Sequence, residues 1–211
     1  MSTKSKLHYV CSQCGYESAK WYGCCPGCSE WNTMAEDIRT PQQQKSSKAV
    51  SNSVFAQTIN EISADDEIRF KTGMEELDRV LGGGIVKGSL VLLSGDPGIG
   101  KSTILLQTSG ELCKNNKKVL YISAEESASQ IKLRAERLGV KEDNLYIYPQ
   151  TNFELIKKHV EEMKPDLVIV DSIQAIYTSN IQSTAGSVSQ IRECCNSLMS
   201  IAKTNNISII V

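Results

Sequence analysis

The 211-residue chain has no surplus of either charge: 23 Lys and Arg stand against 24 Asp and Glu, for a net charge of −1. Without a global basic field, any contact with nucleic acid or an anionic surface must come from a local patch. The chain also lacks an apolar run near the roughly 20 residues that a membrane span requires. Its opening residues, MSTKSKLHYVCSQC, contain no apolar stretch of the secretory kind. The expected address is therefore cytoplasmic, with no membrane partner. No internal repeat is present. A disulfide framework is not expected either, although there are eight cysteines, because five of them crowd between Cys11 and Cys28. The others are Cys113, Cys194 and Cys195. In a reducing compartment, clustered pairs read as metal ligands and scattered cysteines as small buried apolar residues.

What is present falls into three stretches. Residues 1–34 hold the cysteine cluster and both tryptophans. Residues 35–66 are polar, centred on Gln42, Gln43, Gln44, Ser46 and Ser47. They read as a linker, with a short helix near Val54–Ile59. Residues 67–211 carry a regular pattern. Buried strands are expected at Leu90–Leu93, Val119–Ile122, Leu145–Tyr148, Leu167–Val170 and Ile207–Val211. Between them, Ile104, Thr108 and Leu112 recur at helical spacing. So do Ile131, Ala135 and Leu138; Phe153, Ile156, Val160 and Met163; and Val188, Ile191, Cys195, Leu198 and Ala202. Strands that are apolar on both sides and alternate with helices predict an α/β fold, a largely parallel sheet with helices on both faces. The last apolar run reaches Val211, which reads as a sequence cut in mid-strand.

The strand at Leu90–Ser94 leads into Gly95, Asp96, Pro97, Gly98, Ile99, Gly100, Lys101 and Ser102, a complete G-x-x-x-x-G-K-[ST] motif. Thr103 follows it. Glycines let the backbone wrap closely, so that successive N–H groups converge on phosphate oxygens. A helix starting near Lys101 adds the positive end of its dipole. The Lys101 ammonium is placed to reach the β and γ phosphates, and the Ser102 hydroxyl to ligate Mg²⁺. Leu167–Val170 ends in Asp171. A carboxylate at the C-terminal end of a buried strand lies at the sheet edge where phosphate loops gather, so Asp171 is the second candidate for Mg²⁺. Another strand runs into Ser123, Ala124, Glu125 and Glu126. Either glutamate could polarise an attacking water, and strand-end geometry favours Glu125. Alternatively, both acids simply favour the start of a helix near Ser127.

Cys11-x-x-Cys14 is followed, after ten residues, by Cys25-x-x-Cys28. Two such knuckles complete a tetrahedral Zn²⁺ site with no open position, hence a structural one. So few residues cannot build a core, so metal binding would supply the folding energy. Cys24 could compete with Cys25, but only Cys25 keeps the two-residue gap to Cys28. His8 is an outside candidate ligand. Tyr9, Tyr16, Trp21, Tyr22 and Trp31 surround the cluster. Trp31 is expected to pack around the metal. For Trp21 and Tyr22, packing and a recognition surface for nucleic acid or protein both stay open.

Taken in order, these features resemble a known family. They are the four-cysteine ribbon ending in Ser29, Glu30, Trp31, Asn32 and Thr33; the lead-in Thr72-Gly73 … Leu77-Asp78 … Leu81-Gly82-Gly83-Gly84; the phosphate loop; Tyr121 to Ser127; Asp171 to Gln174; and Gly186 to Glu193. Together they are similar to the RadA (Sms) family of bacterial DNA-repair proteins, a branch of the RecA-related ATPases. The resemblance implies a RecA-like fold, ATP as the nucleotide, a homo-hexameric ring and single-stranded DNA in the central channel. It further implies DNA-dependent ATP hydrolysis that processes and branch-migrates recombination intermediates, and engagement of RecA through the ribbon. It favours Glu125 over Glu126 as the water-polarising acid and gives the loop Thr178–Ser189 to DNA. The family's Lys-Asn-Arg-Phe-Gly motif and Lon-like C-terminal domain do not occur in these residues, so poor hydrolysis by this chain alone is expected. A competing reading is a nucleotide-regulated binding module with little turnover. Another is a KaiC-type kinase, against which the ribbon argues.

Overall fold

The structure is a computed structural model that describes residues 6–39, 58 and 69–211. The helix expected near Val54–Ile59 and most of the expected linker lie outside the described residues. The chain separates into two compact units: an N-terminal ribbon, and a larger core comprising residues 68–180 and 184–211.

The ribbon is a small antiparallel sheet in the order β2-β1-β3. β1 (Lys6–Cys11) pairs with β2 (Glu17–Ser18) on one side and with β3 (Met34–Arg39) on the other. β3 pairs with β1 along its whole length, from Cys11↔Met34 to Lys6↔Arg39. Strand structure therefore crosses the expected boundary between residues 34 and 35.

The core opens with β4 (Arg69–Phe70), α1 (Glu75–Val80) and β5 (Ile85–Val86), in which β4 and β5 form an antiparallel pair. Polar groups hold this lead-in together. Buried Asp78 accepts from the Thr72 amide at 2.9 Å, and Arg69 Nη1 donates to the Leu81 carbonyl at 2.8 Å. Next come β6 (Leu90–Val91), α2 (Lys101–Lys114), β7 (Val119–Ser123), α3 (Ala128–Arg137), β8 (Leu145–Tyr148), α4 (Phe153–Met163), β9 (Leu167–Asp171), α5 (Val188–Asn205) and β10 (Ser208–Ile210). The strands form one five-stranded sheet in the order β6-β10-β9-β7-β8, parallel throughout.

Position in the sheet explains the apolar pattern. β7 and residues 167–170 of β9 are central and buried on both faces, whereas the edge strands β6 and β8 are only half-covered. On one face, Val119, Tyr121, Leu167, Ile169 and Ile210 pack against Leu105 and Leu106 of α2 and Ile131 of α3. On the other, Leu120, Ile122, Val168, Val170 and Ile209 meet Ile156 and Val160 of α4 and Leu198 and Ile201 of α5. Each buried aliphatic contributes about 1.5–3 kcal/mol, so these two layers dominate the core's stability.

Three of the helices begin where a side chain satisfies a free amide. Ser127 caps α3 in a reciprocal capping box with Gln130. Asn152 caps α4 through the Leu155 amide, and Ser187 caps α5 through that of Gln190. α4 and α5 end on left-handed Lys164 and Asn206. Because α5 starts at Val188, the last two residues of the expected loop Thr178–Ser189 are helical. α2 has no capping side chain.

Candidate functional site

That missing cap is the phosphate loop. Gly100 stands at the N-cap of α2 with φ of 104°, and Gly98 has φ of 80°. A Cβ on either would meet nothing within 4 Å, so glycine is required there by backbone conformation, not by crowding. The first intrahelical bond of α2 runs from the Ile104 amide to the Gly100 carbonyl at 3.0 Å. Amides of Gly98, Gly100, Lys101, Ser102 and Thr103 find no acceptor among the described residues. This row of unsatisfied donors at a helix N-terminus suits a polyphosphate. Gly95, Asp96, Pro97 and Ile99 complete the loop and are exposed. The Lys101 ammonium folds over it, donating to the Gly95 carbonyl at 2.6 Å and the Asp96 carbonyl at 2.9 Å. Two neutral carbonyls are weaker partners for an ammonium than a phosphate is, so these bonds can be exchanged for phosphate contacts.

β7 and β9 bring the candidate acids together. Their register sets Ser123 opposite Asp171, and the Ala124 amide donates to the Asp171 carbonyl at 2.8 Å. The two glutamates after β7 then diverge. Glu126 is tied down: its carbonyl accepts from Ser123 Oγ at 2.6 Å, and its carboxylate pairs with Arg134 Nη2 of α3 at 2.6 Å. Glu125 is exposed and accepts a hydrogen bond from Ser172 Oγ, next to Asp171. The α3 cap is Ser127 with Gln130, so neither glutamate is needed there. Asp171 is half-buried and accepts from the Tyr121 phenol at 2.5 Å. Burial, and secondly this bond, push the Tyr121 hydroxyl well above the usual phenol range. Sequence reasoning missed Tyr121, because a tyrosine inside an apolar strand gives no signal that its oxygen reaches a carboxylate one strand away. One further concavity, lined by Thr72, Glu111, Lys114 and Gly139 among others, is bordered by the C-terminal half of α2 and by none of the candidate site residues.

The ribbon holds the second candidate site. The thiols of Cys11, Cys14, Cys25 and Cys28 all lie within 4.8 Å of one another. Cys11 Sγ is 3.7 Å from Cys28 Sγ, and Cys14 Sγ is 3.5 Å from Cys25 Sγ. A tetrahedral zinc with bonds of about 2.3 Å requires sulfur spacings of about 3.8 Å, so the four fit that ion. Each knuckle is a tight turn: the Gly15 amide donates to the Cys11 carbonyl at 2.9 Å, and the Ser29 amide to the Cys25 carbonyl at 2.8 Å. At Gly27 a Cβ would lie 3.1 Å from Cys14 Sγ, which crowds out a larger residue. Cys24 is outside the cluster, with its thiol donating to the Ser29 carbonyl at 3.3 Å. His8 lies in β1 with its side chain outside the described set.

The thiols interact strongly. At Cys28 a backbone hydrogen bond at Glu30 pulls the pKa down, but burial and the neighbouring thiols outweigh it and push the group up to about 12. At Cys11 burial pushes upward, yet hydrogen bonds from Thr33 and from the Cys14 and Gln13 backbone win and bring it to about 6. Trp31 departs from expectation. It is 72% exposed and does not pack around the cysteines, while Trp21 is 55% exposed and donates Nε1–H to the Met34 carbonyl at 3.3 Å. Among the described residues of the ribbon, Cys11, Cys25 and Met34 are the buried ones, too few to recruit a large ring.

Known protein families match both units of the chain. An AAA domain profile matches residues 56–211, most of the chain. The chain belongs to the AAA-domain family. Ahead of this AAA domain, residues 9–36 match a rubredoxin metal binding domain. The DNA repair protein RadA of Listeria monocytogenes is 53% identical over 209 residues, covering 99% of this chain and 46% of that protein. RadA of Bacillus subtilis is 50% identical over 212 residues, with 99% and 46% covered. RadA of Aquifex aeolicus is 46% identical over 204 residues, with 97% and 45% covered. The AAA-domain chain thus spans about half the length of the curated relatives it matches. Among the described residues, no helix is long and apolar enough to cross a membrane.

Proposed function

We propose that this chain is a DNA-dependent ATPase of recombinational DNA repair in the cytoplasm, one that processes and branch-migrates recombination intermediates on single-stranded DNA. In this reading the loop Gly95–Thr103 binds ATP, Lys101 neutralises the β and γ phosphates, Ser102 and Asp171 hold Mg²⁺, and Glu125 polarises the attacking water. Zn²⁺ on Cys11, Cys14, Cys25 and Cys28 folds the ribbon, which would engage RecA, and the active form is a homo-hexamer. One observation carries the reading: an exposed glutamate sits beside a strand-end aspartate in a fold whose adjoining helix opens on a row of free amides. That is the donor and acid set phosphoryl transfer to water needs. Relatives named for DNA repair supply the biological setting.

A nucleotide-regulated binding module is the second reading, and the exposed Trp21 and Trp31 of the ribbon favour it, because large exposed rings suit a partner surface. ATP turnover of the full-length protein with and without single-stranded DNA separates the two. Stimulation by DNA supports the motor. Binding of ATP without turnover in either condition supports the module.

A further inference from the structure

We propose that Tyr121 is a positioning residue for the magnesium site, its phenol holding one oxygen of Asp171 so that the other is left for the metal or its water. The inference rests on the nucleotide reading above and adds a residue that the phosphate-loop and strand-end motifs do not contain.

Tyr121 lies at the middle of β7 and is wholly buried. Its ring shares the α2 face of the sheet with Ile169, Leu105 and Leu106. A phenylalanine would fill that space equally well, and a buried hydroxyl is costly unless it finds a partner. The hydroxyl donates to Asp171 Oδ2 at 2.5 Å. The register explains the reach: Tyr121 stands opposite Ile169, so Asp171 is its diagonal neighbour two residues on, a distance that long side chains span. Asp171 Oδ1 has no partner among the described residues.

The bond is not needed to hold the two strands. β7 and β9 are already paired from Val119↔Leu167 to Ser123↔Asp171. What it constrains is the carboxylate itself, which without it would have two equivalent oxygens and a free rotor. Partners of ligating carboxylates orient them, and their loss typically costs about 10- to 100-fold in metal affinity. Glu126 and Arg134 lie close enough to act electrostatically on the phenol, but they are engaged with each other at 2.6 Å and leave Asp171 to Tyr121.

The test is binding of the non-hydrolysable analogue AMP-PNP to the full chain, by calorimetry across a Mg²⁺ titration, for wild type and Tyr121→Phe. The expected result is a half-saturating Mg²⁺ concentration raised about 10- to 100-fold in the variant, with binding in EDTA and far-UV ellipticity unchanged. A merely structural role would weaken binding equally at every Mg²⁺ concentration and lower the melting temperature. That outcome, or an unchanged Mg²⁺ midpoint, overturns the inference. Should Tyr121→Phe fail to fold, Asp171→Asn with the phenol intact gives a second reading. Loss of Mg²⁺ dependence supports the site, and a wild-type Mg²⁺ midpoint overturns it. If wild type itself shows no Mg²⁺-dependent uptake, the nucleotide reading fails, which is distinct from a wild type that responds and a variant that matches it.

Discussion

Substituting Lys101 by alanine separates binding from folding. In the structure the ammonium makes two bonds, to the Gly95 carbonyl at 2.6 Å and the Asp96 carbonyl at 2.9 Å, from a half-buried side chain. Both are local and lie beside solvent, so their loss should cost less than about 1 kcal/mol of stability. With a triphosphate in the loop, the same ammonium would bond to oxygens of two phosphates. Hydrogen bonds to charged groups contribute about 1.5–3 kcal/mol each. Losing two therefore costs about 3–6 kcal/mol, or roughly 10²- to 10⁴-fold in Kd. Calorimetric titration of Lys101→Ala with Mg-ATP, alongside a thermal melt, reads both quantities. The expected pattern is a near-wild-type melt with affinity lost by at least about 100-fold. Affinity within about threefold of wild type would show that the ammonium does not meet the phosphates. A collapsed melt would show that Lys101 is structural.

Three other substitutions and two treatments follow from the geometry. In the full-length protein, Glu125→Gln should cut ATP turnover by about 10²- to 10⁴-fold while leaving ATP binding intact. Glu126→Gln should instead cost about 1 kcal/mol of stability by breaking a partly exposed pair with Arg134, and reversed effects in turnover assays and melts would exchange their roles. Asp78→Ala leaves the buried Thr72 amide without its acceptor and should destabilise the core by about 1–3 kcal/mol, measured by urea denaturation; an unchanged midpoint would count against the lead-in's structural role. Removing metal with a chelator should change the fluorescence of the two tryptophans, both in the ribbon, while the helical ellipticity of the core persists; coincident loss of both signals would refute independent folding. Zinc binding must strip the protons from the thiols that hold it, so affinity should rise with pH and fall as pH drops, and a flat profile from pH 6 to 8 would contradict this.

The sheet was legible because its central strands are buried on both faces. Val119–Ile122 and Leu167–Val170 could be read as strands from apolar continuity alone, and Leu145–Tyr148 was located to the residue. The phosphate loop was legible because its glycines and lysine sit at fixed spacing between a strand and a helix. The ribbon's cysteines were legible because a tight turn fixes the distance between paired thiols. Short elements were not: β4 and β5 have two residues each, and α1 has six, too few to show a period. Their order rests on hydrogen bonds through Asp78 and Arg69, which leave no trace in a hydrophobic pattern. Trp31 misled because aromatic residues usually pack, whereas a ribbon held by metal has almost no interior to receive one. The contrast between Glu125 and Glu126 depends on Arg134, eight residues beyond Glu126, and on Ser172 from another strand end, which no local window joins.

Everything proposed for the core depends on a polyphosphate seating itself on the free amides at the start of α2. The most direct measurement is isothermal calorimetry of the wild-type full chain with ATP, ADP and AMP, each with Mg²⁺ and in EDTA. The account predicts one site per chain, with the di- and triphosphate bound far more tightly than AMP and Mg²⁺ strengthening the triphosphate. Absence of heat with every nucleotide, or AMP bound as tightly as ATP, would contradict it.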